Sequence, residues 1–126
     1  MSRPPSTHPT DGELEILRVL WQAGPCSLGQ IAKTLREKRA VALTTVATML
    51  KIMREKKLVQ RKQGKHAYLW SAKTTQESAA SGMVCKLINL VFDGSAQRLV
   101  AHLVESGQLN DEAREAIRRM MANKKE

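Results

Sequence analysis

The sequence predicts a mainly α-helical chain interrupted once by a small β-hairpin, and three observations predict it. Apolar residues recur at helical spacing behind two capping boxes near the start, the period changes to two around a glycine after Lys57, and helical spacing resumes from Thr74. A chain of 126 residues holds one ordinary domain or two small ones, which excludes a catalytic barrel and a doubly wound nucleotide-binding sheet.

Residues 1–9 contain three prolines and small polar residues, which predict a mobile tail. Thr10-Asp11-Gly12-Glu13 then fits a capping box, followed by Leu14, Leu17, Val19, Leu20 and Trp21, so a first helix runs to about Ala23, where Gly24-Pro25 stops it. Ser27-Leu28-Gly29-Gln30 supplies a second box ahead of Ile31, Ala32 and Leu35, and that helix ends near Arg36. A charged turn leads to a third helix beginning at Leu43 to Thr45. Its buried stripe is Val46, Met49, Leu50 and Met53, and its opposite face shows Thr44, Thr45, Thr48, Lys51 and Arg54 or Glu55. β-branched residues lose χ1 freedom in a helix, so three threonines in the first turns point to selection for something other than helix stability, or for capping at Thr44.

Leu58-Val59-Gln60 and His66-Ala67-Tyr68-Leu69-Trp70 read as two strands joined through a basic tip, Arg61-Lys62-Gln63-Gly64-Lys65. The next helix carries Met83, Val84, Leu87, Ile88, Val91 and Phe92 until Asp93-Gly94-Ser95 breaks it. A fifth carries Leu99, Val100, Leu103 and Val104 before Ser106-Gly107, and Asn110 caps a last one with Ala113, Ala116, Ile117, Met120 and Met121. The expected domains are residues 10–73 and 74–126.

Charge separates these two parts. Residues 1–75 hold 14 basic and 5 acidic side chains, residues 76–126 hold 7 of each, and Lys33 to Lys65 alone carries 11 bases against 2 acids. A polyanion is therefore the expected partner of the first part only. Helix, helix, helix and hairpin within about 65 residues is the order of a winged helix-turn-helix, whose third helix enters the DNA major groove while the hairpin follows the backbone. On that reading Thr44, Thr45, Thr48, Lys51 and Arg54 face the groove and Arg61, Lys62 and Lys65 meet phosphates of double-stranded DNA. The last three helices are too short to bury a core alone, which predicts a homodimer through Val84, Leu87, Ile88, Val91, Phe92, Leu99, Val100, Leu103, Ile117 and Met120. A monomeric packing onto the first domain is the alternative.

Other classes find little support. Only four aromatics occur (Trp21, Tyr68, Trp70, Phe92), too few for a single-strand stacking platform. His8, His66 and His102 are scattered, and no nucleophile-base spacing or phosphate loop is present, so no enzyme activity is expected. Cys26 and Cys85 have no metal-site spacing and read as buried or idle thiols, and no cofactor or metal is expected. Neither a spanning apolar run nor a signal peptide is recognisable, so the expected location is cytoplasmic, away from membranes. Sequence-specific regulation and non-specific architectural DNA binding both fit the charge.

Glu13-Leu14-Glu15-Ile16-Leu17-Arg18-Val19-Leu20-Trp21, Gly24-Pro25, Thr44-Thr45-Val46-Ala47-Thr48-Met49-Leu50, Gly64 with Tyr68, and Val91-Phe92-Asp93-Gly94-Ser95 before Leu99-Val100 resemble the penicillinase-repressor family over about residues 10–123. That family includes the methicillin-resistance regulators and a copper-responsive branch. The resemblance implies a dimeric repressor with winged-helix DNA-binding domains and helical dimerisation domains, with base reading on Thr44, Thr45 and Thr48, and the two-fold symmetry of such a dimer matches a palindromic operator. The copper-responsive branch uses a cysteine-rich C-terminal hook, whereas no cysteine follows Cys85 here, so copper sensing is not expected. In antibiotic-responsive members, release follows cleavage of an Asn-Phe bond by a protease of a sensor system, which makes such a protease a candidate partner; the similar stretch Leu99 to Glu105 has His102-Leu103 instead.

Overall fold

A computed structural model describes residues 8–124. The expected tail lies outside the described residues up to position 7. The element order is α1 (Asp11–Ala23), α2 (Leu28–Arg36), α3 (Leu43–Glu55), β1 (Val59–Gln63), β2 (Tyr68–Ala72), α4 (Gln76–Val91), α5 (Ala96–Glu105) and α6 (Asp111–Asn123). Two compact units divide the chain, one reaching through Met83 and one from Val84 onward. The fold is mainly α with a hairpin wing on a helix-turn-helix, as the patterning predicts.

In the first unit both capping boxes form. Thr10 accepts from the Glu13 backbone while the Glu13 carboxylate accepts from the Thr10 backbone, and Ser27 and Gln30 do the same for α2. The helices bury Ile16, Leu17 and Leu20 from α1, Ile31, Ala32 and Leu35 from α2, and Val46, Leu50 and Met53 from α3 against Leu58, Val59 and Trp70. This one cluster holds α3 by its inner stripe and leaves the outer stripe free.

The hairpin is antiparallel, with Val59 opposite Ala72, Arg61 opposite Trp70 and Gln63 opposite Tyr68. Its strands are placed differently from the expectation. Arg61 and Lys62 lie inside β1, His66 lies in the turn, and the tip is Gly64 to Ala67, so Lys65 is the basic residue there. The Gly64 N–H donates to the Ala67 carbonyl at 2.9 Å, and a Cβ at Gly64 would stand 2.5 Å from that same oxygen. Only glycine closes this loop without displacing backbone. Cys26 adds an isolated antiparallel bridge to β2: its N–H and carbonyl pair with those of Trp70 at 2.9 and 2.7 Å. The thiol is buried, and desolvation pushes its pKa up, which fits an inert core thiol.

α3 ends in a Schellman motif, with Leu58 donating to the Met53 carbonyl at 2.9 Å and Lys57 to that of Arg54 at 3.0 Å. Lys57 occupies the left-handed position at φ 66°, where glycine is the usual residue. Trp21 Nε1 donates to the Thr74 carbonyl at 3.0 Å, which fixes the chain as it leaves the hairpin.

The second unit is built from the later part of α4 with α5 and α6. Asp93 (φ 51°) and Gly94 (φ 80°) turn the chain, Ser95 caps α5, and Asn110 caps α6. Asp93 also pairs with Arg98, and the Phe92 and His102 rings meet at 5.8 Å. No described residue of this unit is buried in the single chain.

Candidate nucleic-acid interface

The inner stripe of α3 sits in the core, so the sequence between those positions must face out. Thr44, Thr45, Thr48, Lys51 and Arg54 are all exposed, in the places the periodicity assigns them. Thr44 is not a cap. The N-cap of α3 is Ala42, which makes no side-chain capping bond, whereas α1, α2, α5 and α6 are capped by Thr10, Ser27, Ser95 and Asn110. The first N–H groups of α3 therefore carry no side-chain acceptor, and the helix dipole presents its positive end there. Thr48 Oγ1 donates to the Thr44 carbonyl at 3.0 Å.

Between α3 and the hairpin runs a cleft of about 640 Å³, into which Ala47, Lys51 and Arg54 project from the helix and Arg61, His66 and Tyr68 from the hairpin. The Arg61 guanidinium stands 3.9 Å from the Tyr68 ring centre and 5.5 Å from that of Trp70. Cation–π contact on two rings fixes its direction before any ligand arrives. Alternation along β1 sends Lys62 to the other face of the ribbon, beside Gln60, Leu69 and Ser71. Lys65 is exposed at the tip. The structure thus gathers Lys51, Arg54 and Arg61 on one side and separates Lys62 from them.

Part of the basic surplus has another use. Lys56 Nζ lies 2.8 Å from Glu13 Oε1, with side-chain exposures of 8% and 5%. Arg39 grips Glu15 through two hydrogen bonds of 2.9 and 3.3 Å, and that hydrogen bonding, reinforced by the Arg39 charge, holds the Glu15 carboxyl below its ordinary pKa. Arg36 Nε donates to the Val41 carbonyl at 3.0 Å. These three contacts latch the segment before α3 and the end of α3 to the rest of the unit. They were hidden in the sequence because the partners of Lys56 and Arg39 are 43 and 24 residues away.

Two apolar side chains on α3 were also missed. Leu43 is 45% exposed and Ile52 is 42% exposed, and neither belongs to the buried core cluster. Ile52 falls outside the buried stripe on any helical wheel, and that signal was available.

In the second unit, Val84, Leu87, Val91, Val100, Ile117 and Met120 of the predicted pairing face are exposed, while Ile88, Phe92, Leu99 and Leu103 are half-buried. Leu90 and Met121 are exposed as well, at 72% and 69%, and belong to no stripe singled out for pairing. No group of acidic, histidine or cysteine side chains suited to a metal occurs among the described residues, and no described helix is long and apolar enough to cross a membrane.

A family model described as Penicillinase repressor matches residues 9–123. The penicillinase repressor of Bacillus licheniformis is 21% identical over 104 residues, covering 82% of this chain and 80% of its own length. Among solved structures, one mutant of Lactococcus lactis ZitR aligns over 98% of this chain and 78% of its own at 17% identity and a TM-score of 0.46, and another over 97% and 73% at 18% and 0.41.

Proposed function

The chain belongs to the penicillinase repressor family, and from that premise we propose that it represses transcription as a homodimer that reads a palindromic operator through Thr44, Thr45 and Thr48. Membership makes it a transcriptional repressor, of a family that is not enzymatic. The finer reading rests on one observation above the rest: α3 is held by its inner stripe with an exposed threonine face and an uncapped N-terminus, beside a cleft lined by Lys51, Arg54 and Arg61. A major groove about 12 Å wide accepts one helix in this way, and its base edges offer donors, acceptors and thymine methyls to such side chains. The uncapped N–H groups, Arg61 and Lys65 suit phosphate oxygens, which set register without reading sequence.

Dimerisation is supported by the second unit's lack of any buried residue in one chain. Pairing two half-site contacts raises affinity by about 10² to 10⁴ through effective concentration alone, so loss of pairing releases DNA whatever the trigger. A sensor-linked protease acting at His102–Leu103 would first have to open α5, because the carbonyls of these residues accept from Ser106 at 2.9 Å and Gln108 at 3.1 Å.

Footprinting with the full chain tests the proposal. It predicts protection of a dyad with half-sites one helical turn or a multiple apart and an affinity that falls steeply with salt. Equal affinity for the protected site and random duplex would instead identify a non-specific architectural protein.

A further inference from the structure

On the reading that α3 enters the major groove, we propose that the edge of α3 turned away from the hairpin reads thymine through its C5-methyl group, with Ile52 as a specificity-determining residue beside Thr45 and Thr48. The two edges of the exposed face differ in chemistry. Ala47, Lys51 and Arg54 line the cleft against the hairpin, which puts the cations on one edge. Thr45, Thr48 and Ile52 are absent from that cleft and follow one another at spacings of three and four residues, which places them on a common stripe.

Thr48 spends its hydroxyl proton on the Thr44 carbonyl, 3.0 Å away. A threonine hydroxyl has a single proton, so Thr48 has none left for guanine O6, adenine N7 or thymine O4. What it can bring to a base edge is its methyl group and a lone pair. One turn further on, Ile52 has only hydrocarbon to offer, and at 42% exposure it stands outside the buried core cluster. A solitary exposed isoleucine is ordinary on a protein surface. Here it extends a row of methyl groups on the helix already placed at the DNA. In the major groove only thymine displays a methyl group.

The test starts from the duplex that the full chain selects out of a randomised pool, resynthesised with deoxyuridine replacing each thymidine of a half-site in turn. Deoxyuridine lacks the methyl and keeps every hydrogen-bonding group. Burial of one methyl predicts a loss of about fourfold in affinity at the position facing the stripe. Ile52→Ala and Thr48→Ser shrink that thymine-to-uracil ratio toward one, while Thr48→Val keeps it. The proposal is overturned if every replacement is neutral, if Ile52→Ala leaves the ratio intact, or if Thr48→Val removes it as Thr48→Ser does, which would assign the reading to the hydroxyl. A pool that yields no preferred duplex would sink the operator-reading function itself. A preferred duplex indifferent to the methyl would sink this inference alone.

Discussion

Oε1 of Glu13 accepts from the Thr10 backbone at 2.9 Å and from the Lys56 ammonium at 2.8 Å, so the start of α1 and the end of α3 share one buried oxygen. Removing one member of a buried pair strands the other's charge, which costs more than the pair contributes. Lys56→Ala is accordingly expected to lower unfolding free energy by about 3 kcal/mol in urea titration, and adding Glu13→Gln to recover part of it; a loss below about 1 kcal/mol would contradict the burial of the pair. Lys57 offers the opposite change. Its φ of 66° suits glycine, so Lys57→Gly is expected to add about 1 kcal/mol, read as a raised Tm. At this scale the capping boxes were legible, since their partners lie three residues apart. The Glu13–Lys56 pair was not, because nothing periodic links positions 43 apart.

Among the elements, α3 combines a core-facing stripe with the weakest cap of the five helices whose N-caps are described. Supplying the missing acceptor separates stability from binding. Ala42→Asp is expected to add about 1 kcal/mol to folding, by chemical denaturation, while lowering DNA affinity at low salt, because its carboxylate occupies the place suited to a phosphate. Unchanged DNA affinity in a stabilised variant would remove the helix end from the interface. The helices were readable because capping boxes, Gly-Pro and apolar spacing agree along α1 and α2, and apolar spacing alone marks α3. The hairpin was readable as a hairpin but not in its detail. Basic residues at the middle of β1 carry no strand signal, so the sequence pattern puts Arg61 and Lys62 at the tip, and only the cross-strand register shows that they lie within β1 and point to opposite faces. The stacking of Arg61 on Tyr68 and Trp70 depends on that register as well.

For the whole molecule, the division between a basic first part and a neutral second part was legible from charge alone. The short length of the last three helices also predicted that the second part buries little by itself, and none of its described residues is buried in the single chain. Leu103 is half-buried within its unit, and a charge there would oppose both the local packing and the proposed pairing. Leu103→Asp is therefore expected to sediment as a monomer and to lose operator binding by at least two orders of magnitude at concentrations that saturate the parent. A dimeric variant would place the seam elsewhere on α4 to α6. The same poverty of burial bears on turnover. If these helices gain their order from a second copy, a chain diluted below the pairing threshold becomes at once silent and easily digested, so cellular proteases would clear the stragglers and sharpen the boundary between a repressed and an open promoter.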